Sequence, residues 1–160
     1  MDLILWRHAQ AHDHPDGPAG RQGDDKDLAR PLTSRGEKQA VRMARWLDRQ
    51  LPQGALILCS PAVRAEQTAR ALGRKLHIVP ALAPEADALA VLDQVQWPVG
   101  KSPCVVVAHQ PTLGRVIARL LNLPEDACPV RKGTVWWLRQ RERNGRVQTV
   151  LVCVQTPELL

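Results

Sequence analysis

Two short apolar runs constrain this chain more than anything else in it: Leu3-Ile4-Leu5-Trp6-Arg7-His8 and Val105-Val106-Val107-Ala108-His109-Gln110-Pro111. Each is too short for a core helix and apolar at successive positions, the pattern of a strand buried on both faces. A strand buried that way needs layers above and below its sheet, so helices are expected on both sides. Each run also ends in a histidine followed by loop or helix-start residues. In open α/β sheets, binding and chemistry collect at the carboxyl ends of the strands. Both histidines are therefore expected on one functional edge, the first with an arginine directly before it.

The remaining chain fits such a sheet. The first strand covers residues 2–7, and residues 10–29, rich in Asp, Gly, Pro and His, read as an exposed, mobile loop. Ser34 and Glu37 have the spacing of a capping box, which predicts a helix over 35–51 burying Val41, Ala44, Leu47 and Leu51. Ala55–Cys59 is the second strand. Ser60-Pro61 reads as N-cap and first-turn proline of a helix over 61–74. His77–Val79 is a short third strand, Asp87 an N-cap for a helix over 88–95, Cys104–Ala108 the fourth strand, and 112–122 a further helix. Thr134–Gln140 and Val147–Val154 read as strands joined at Asn144-Gly145, a strong hairpin turn. The expected architecture is one α/β domain spanning 1–160: a three-layer α/β/α sandwich around one mostly parallel sheet, closed by a C-terminal β-hairpin.

Composition narrows the function. No apolar run is long enough for a membrane span, and Met1-Asp2 leads straight into a strand, so neither a span nor a signal peptide is expected. The four cysteines are widely spaced, with Cys59, Cys104 and Cys153 in or beside strands, which favours thiols in a reducing cytoplasm over a disulfide framework. The net charge of +6 is spread along the chain without a nucleic-acid-binding signature. It suits a site for anionic substrates instead. The loop residues His12, Asp13, His14, Asp16, Asp24 and Asp25 match no familiar metal-ligand spacing, so no metal or other cofactor is expected. His77, Glu66 and Gln67 read as structural or surface residues.

Three more segments converge on the functional edge: Ala29-Arg30-Pro31-Leu32-Thr33, Ser60-Pro61-Ala62-Val63-Arg64-Ala65-Glu66-Gln67-Thr68-Ala69, and His109-Gln110-Pro111-Thr112-Leu113-Gly114. Arg64 falls in the first turn of its helix, where a cation opposes the helix dipole and needs another reason to be there. Together these motifs and the Arg7-His8 pair resemble the histidine phosphatase superfamily, of phosphoglycerate mutase-like fold, and within it the short SixA-type phosphohistidine phosphatases. The resemblance covers residues 2 to about 122 in the family's motif order. It implies His8 as nucleophile, attacking phosphorus as a neutral imidazole to form a phosphohistidine that water then hydrolyses. It implies Arg7, Arg64 and Arg30 as guanidinium forks on the phosphoryl oxygens, and His109 as a further donor to them.

The general acid is less clear. Superfamily members that cleave phosphate esters use a carboxylate after the third strand. Here Glu85 and Asp87 occupy that stretch, and the presumed capping role of Asp87 leaves Glu85. Imidazole can leave already protonated, so a phosphohistidine substrate needs such an acid less. Residues 80–103, between the third and fourth strands, leave no room for the helical lid of larger relatives. An open site suits a phosphoryl group carried on a protein. The implied substrate is thus a phosphohistidine-bearing phosphotransfer domain or phosphocarrier, with inorganic phosphate as product and neither nucleic acid nor membrane as partner. A small-molecule phosphomonoesterase of the same superfamily is the alternative, and a non-catalytic phospho-ligand-binding protein is the alternative from another class.

Overall fold

The computed structural model describes residues 1–124 and 126–160. Six strands form one sheet: β1 (Asp2–Arg7), β2 (Leu56–Cys59), β3 (His77–Ile78), β4 (Cys104–Ala108), β5 (Val135–Arg143) and β6 (Arg146–Gln155), in the order β3-β2-β4-β1-β5-β6. The first four run parallel, β5 adds antiparallel to β1, and β6 adds antiparallel to β5. This is the expected mixed α/β sheet closed by a hairpin. Asn144 and Gly145 both take positive φ, 52° and 72°, as a two-residue hairpin turn matching strand twist requires.

The described residues contain five α-helices, α1 (Asp25–Leu28), α2 (Ser34–Gln50), α3 (Val63–Arg70), α4 (Ala88–Gln94) and α5 (Thr112–Leu120), of which the last four pack on the sheet. The period-2 alternation of β1 and β4 sorts their side chains between two cores. Ile4, Trp6, Val105 and Val107 pack with Met43 and Leu47 of α2 and Ala65 and Ala69 of α3. Leu3, Leu5, Cys104 and Val106 pack on the other face with Val91 of α4 and Leu113 and Ile117 of α5. Every residue of β4 is buried, which explains its unbroken apolar sequence. No helix of the described residues is long and apolar enough to cross a membrane.

Several local expectations are corrected. The cap of α2 is Thr33: its Oγ1 accepts from the Gly36 N–H at 3.0 Å, so the box on Ser34 and Glu37 does not form. The buried stripe of α2 is Ala40, Met43, Ala44 and Leu47, with Val41 on the exposed side. Helix α3 is shorter than 61–74 and its N-cap is Ala62; Ser60 lies before it and has another task. Asp87 occupies the N-cap position of α4 without a side-chain capping hydrogen bond. Residues 10–29 are mostly exposed or half-buried, as expected, but they carry secondary structure of their own. They contain a 3-10 turn at Gly17–Ala19 and helix α1, capped by Asp24 on the Asp27 N–H, and His14 Nε2 bonds the Asp24 carboxylate at 2.9 Å. The start of this segment is pressed against α2, where a Cβ at Gly36 would collide with the Gln10 carbonyl oxygen.

Candidate active site

The two histidines meet because β1 and β4 are adjacent and in register. Arg7 pairs with Ala108, and the His8 N–H continues the ladder to the Ala108 carbonyl at 3.1 Å. The next residue on each strand is His8 and His109, whose ring centroids lie 5.2 Å apart at a tilt of 52°. Both are buried. The His8 Nδ1 lies 2.8 Å from the Ala9 carbonyl oxygen. A carbonyl can only accept, so Nδ1 carries the proton and Nε2 keeps its lone pair. Burial, then the neighbouring His109, hold the His8 pKa well below its usual value, with Arg64 and Arg7 adding to the effect against the opposing Ala9 carbonyl. Desolvation is the larger effect, and the neighbouring cations add to it.

His109 is fixed by a residue the sequence reading had assigned elsewhere. Its Nε2 lies 2.7 Å from Ser60 Oγ, at the end of β2. Ser60 Oγ already accepts from the Ala62 N–H at 3.2 Å. The serine proton has no other acceptor among the described residues and therefore goes to Nε2, leaving the His109 proton on Nδ1. Burial, followed by Arg64, Arg7 and Arg30, brings the His109 pKa down to about 3, so the ring is neutral.

Two guanidinium groups complete the edge. Arg7 Nη1 donates to the Val130 carbonyl at 2.7 Å. Arg64 is 1% exposed, which removes the option of a solvated helix arginine. It donates from Nη1 to the Asp27 carbonyl at 2.8 Å and from Nη2 to the Asp27 carboxylate at 3.2 Å. Arg7 Nε, Arg64 Nε and His109 Nδ1 are buried and have no hydrogen-bond partner among the described residues. Leaving a buried donor unpaired costs about 1–3 kcal/mol. Arg7 and Arg64 both act on the charge of His8 and His109, so together these three donors can serve an anion with several acceptor oxygens.

Arg30 is held differently. Its Nε bonds Asp27 at 2.9 Å and its Nη1 the His12 carbonyl at 2.7 Å. It still contributes to the field at His109 and Lys132. Asp27 therefore ties both arginines together. Burial alone would raise its pKa, but the Gly23 N–H, Arg64 and Arg30 outweigh that and lower it. Glu85 is exposed, at φ 67°, and its side chain makes no hydrogen bond or ion pair among the described residues. Its segment is tied to the start of α5 by Thr112 Oγ1, which donates to the Ala86 carbonyl at 2.6 Å. Among the described residues no group of three or more His, Cys, Asp or Glu is placed to hold a metal ion.

Asp27, Ser60 and Lys132 were not singled out from sequence. Asp27 was hidden among the acids of the loop, although the first-turn Arg64 called for a counter-charge. Ser60 passed as a cap. Nothing in the sequence around Lys132 marks it.

The sequence model of the histidine phosphatase superfamily, branch 1, matches residues 3–87. The chain belongs to that superfamily. Superfamily membership makes it a phosphatase. Phosphohistidine phosphatase SixA of Escherichia coli (strain K12) is 33% identical over 128 residues, 75% of this chain and 74% of the relative. The SixA homolog of Haemophilus influenzae is 28% identical over 135 residues, 75% and 77% of the two chains. Among solved structures, the protein histidine phosphatase SixA complexed with tungstate superposes with a TM-score of 0.76 at 24% identity, covering 99% of both chains. A phosphoserine phosphatase from Entamoeba histolytica, in complex with 3-phosphoglyceric acid, superposes at 0.72 with 19% identity, again over 99% of both. The superfamily's fold is thus shared with enzymes named for protein and for small-molecule substrates.

Proposed function

We propose that this protein dephosphorylates phosphohistidine on a protein, with His8 as the covalent nucleophile. One observation carries the reading: a buried, neutral His8 with Nδ1–H tied to Ala9 and Nε2 unprotonated, beside three unpartnered donors. Nε2 attacks phosphorus as the P–N bond to the substrate imidazole breaks. That imidazole enters protonated on its other nitrogen and leaves neutral, taking the bonding pair. Water then attacks phosphorus, the His8–phosphorus bond breaks with its electrons returning to Nε2, and the water proton leaves with phosphate or solvent. Arg7, Arg64 and His109 Nδ1–H grip the equatorial oxygens, and Arg30 adds its charge. Transfer through a loose transition state draws most of its rate from such positioning.

A protein substrate is supported by the two curated SixA relatives and by the open site. Residues 79–103 contain only the 3-10 turn Pro80–Leu82 and α4, and Leu82 and Val91 of these are fully buried in the core. The exposed Glu85 also suits a substrate that needs little help from an acid. The second reading, a small-molecule phosphomonoesterase, is favoured by the phosphoserine phosphatase neighbour, with Glu85 as its acid.

The test is phosphate release from a phosphohistidine protein, a sugar phosphate and a nucleotide, with wild type, His8→Ala and Glu85→Gln. The phosphohistidine protein should be the preferred substrate, His8→Ala inactive on all three and unable to form an acid-labile phosphoenzyme, and Glu85→Gln within a few-fold of wild type on phosphohistidine. Faster turnover of the esters, with large losses in Glu85→Gln, would move the assignment to the second reading.

A further inference from the structure

Beside the phosphoryl edge lies a cavity of about 320 Å³ walled by Arg35 at the start of α2, Gln39, Arg131, Lys132, Arg7 and Glu158. Arg7 belongs to both spaces, so the cavity opens next to the phosphoryl position. Arg35, Arg131 and Lys132 are exposed and make no ion pair within 4.0 Å among the described residues. Lys132 also feels the charges of Arg7, Arg30 and Arg64, opposed only by Asp13. Glu158 is the single carboxylate of the wall. The phosphoryl group itself is served by Arg7, Arg64, Arg30 and His109, so three further cations remain for another part of the substrate.

We propose that this cavity docks an acidic stretch of the substrate polypeptide next to its phosphohistidine, with Arg35, Arg131 and Lys132 pairing its carboxylates. The inference rests on the protein phosphohistidine reading and adds the kind of protein: one whose phosphohistidine is flanked by Asp and Glu. Rim charges of this type act mainly by steering encounter and selecting partners, so their effect shows in kcat/KM and in its salt dependence.

The probes are two synthetic phosphohistidine peptides of equal length, one flanked by Glu and one by Lys, assayed for phosphate release. At low salt wild type should prefer the acidic peptide by about 10-fold or more in kcat/KM, and 0.5 M salt should largely erase the preference, since screening shortens to about 4 Å. The pair Arg35→Glu with Arg131→Glu should abolish or invert it. Arg35→Ala with Arg131→Ala serves if charge reversal impairs folding. Arg45→Glu, with the change in net charge per site made on the exposed side of α2 away from the cavity, should retain the preference. Equal use of both peptides by wild type would overturn this inference while leaving the proposed function standing. A preference that survives both cavity variants, or falls equally with Arg45→Glu, would assign it to the general field of a basic protein. A stronger response to the cavity variants with 3-phosphoglycerate than with the acidic peptide would replace the polypeptide by a small phosphorylated acid. Failure on both peptides, with turnover of alkyl phosphates, would remove the protein-substrate reading and this inference together.

Discussion

Replacing Asp27 by Asn tests how the phosphoryl edge is held. Asp27 is 3% exposed and Arg64 1%. Its carboxylate takes the Gly23 N–H at 2.8 Å, Arg30 Nε at 2.9 Å and Arg64 Nη2 at 3.2 Å. Asn keeps the volume and one acceptor oxygen but removes the charge. Removing one partner of a buried ion pair costs about 3–5 kcal/mol, because the other charge is left uncompensated. The Asp27 backbone carbonyl still receives Arg64 Nη1 at 2.8 Å, which places the expectation at the lower end. A loss of about 3 kcal/mol in a protein of this size lowers Tm by about 6–12 °C. Saturating tungstate supplies the missing negative charge beside Arg64, so it should raise the Tm of Asp27→Asn by more than it raises that of wild type. Turnover should fall about 10-fold or more, since a freed guanidinium is no longer preorganised. The assays are urea and thermal unfolding with and without tungstate, and phosphate release. Stability within about 0.5 kcal/mol of wild type, an equal tungstate shift and full activity would refute the claim that Asp27 aims Arg64.

Ser60→Ala should cost about 1–3 kcal/mol of transition-state stabilisation by freeing His109 to change tautomer, seen mainly in kcat. Ser60→Thr should restore part of it; wild-type kcat in Ser60→Ala would leave His109 without a fixed tautomer to explain. Arg64→Ala should lose about 10²-fold, and Arg64→Lys should recover only part of that, because lysine keeps the charge without the fork. Equal rates in all three proteins would take Arg64 out of the site. Acid should destabilise the fold through the histidine pair. Both folded pKa values lie below the ordinary histidine value, His109 at about 3, so below about pH 6.5 the unfolded chain takes up protons that the native state refuses. Stability present above that pH is then lost toward pH 3, by up to about 1.4 kcal/mol per pH unit for each histidine. Urea midpoints from pH 8 to 4 should fall less in His109→Gln than in wild type, and parallel curves would contradict the assignment.

The sheet and its histidine pair were legible because they depend on local signals: short apolar runs with an abrupt polar end. The family motifs carried Arg7, Arg64 and His109 to one edge in the same way. What the sequence concealed was decided by distant partners. Thr33 outcompeted Ser34 as a cap although both residue types suit that position. Its Oγ1 also donates to Gln10 Oε1 at 3.0 Å, an anchor reaching across the loop. Val41 lies one position from Ala40, and a short apolar stripe does not settle by itself which of two overlapping faces meets the sheet. Asp27 is one of several loop aspartates, and only the folded chain brings it against Arg64, 37 positions away in sequence.

The ladder between β1 and β4 gives the two sides of the site different lifetimes. His8 and His109 extend the most enclosed strands of the sheet, and the His8 amide, bonded to the Ala108 carbonyl at 3.1 Å, should exchange with solvent only when the whole molecule unfolds. Asp27 and Arg30 sit on a segment held by ion pairs and turn hydrogen bonds over little apolar surface, the kind of structure that opens at much lower free energy. Such a site can breathe on its Arg30 side while the two imidazoles keep their spacing.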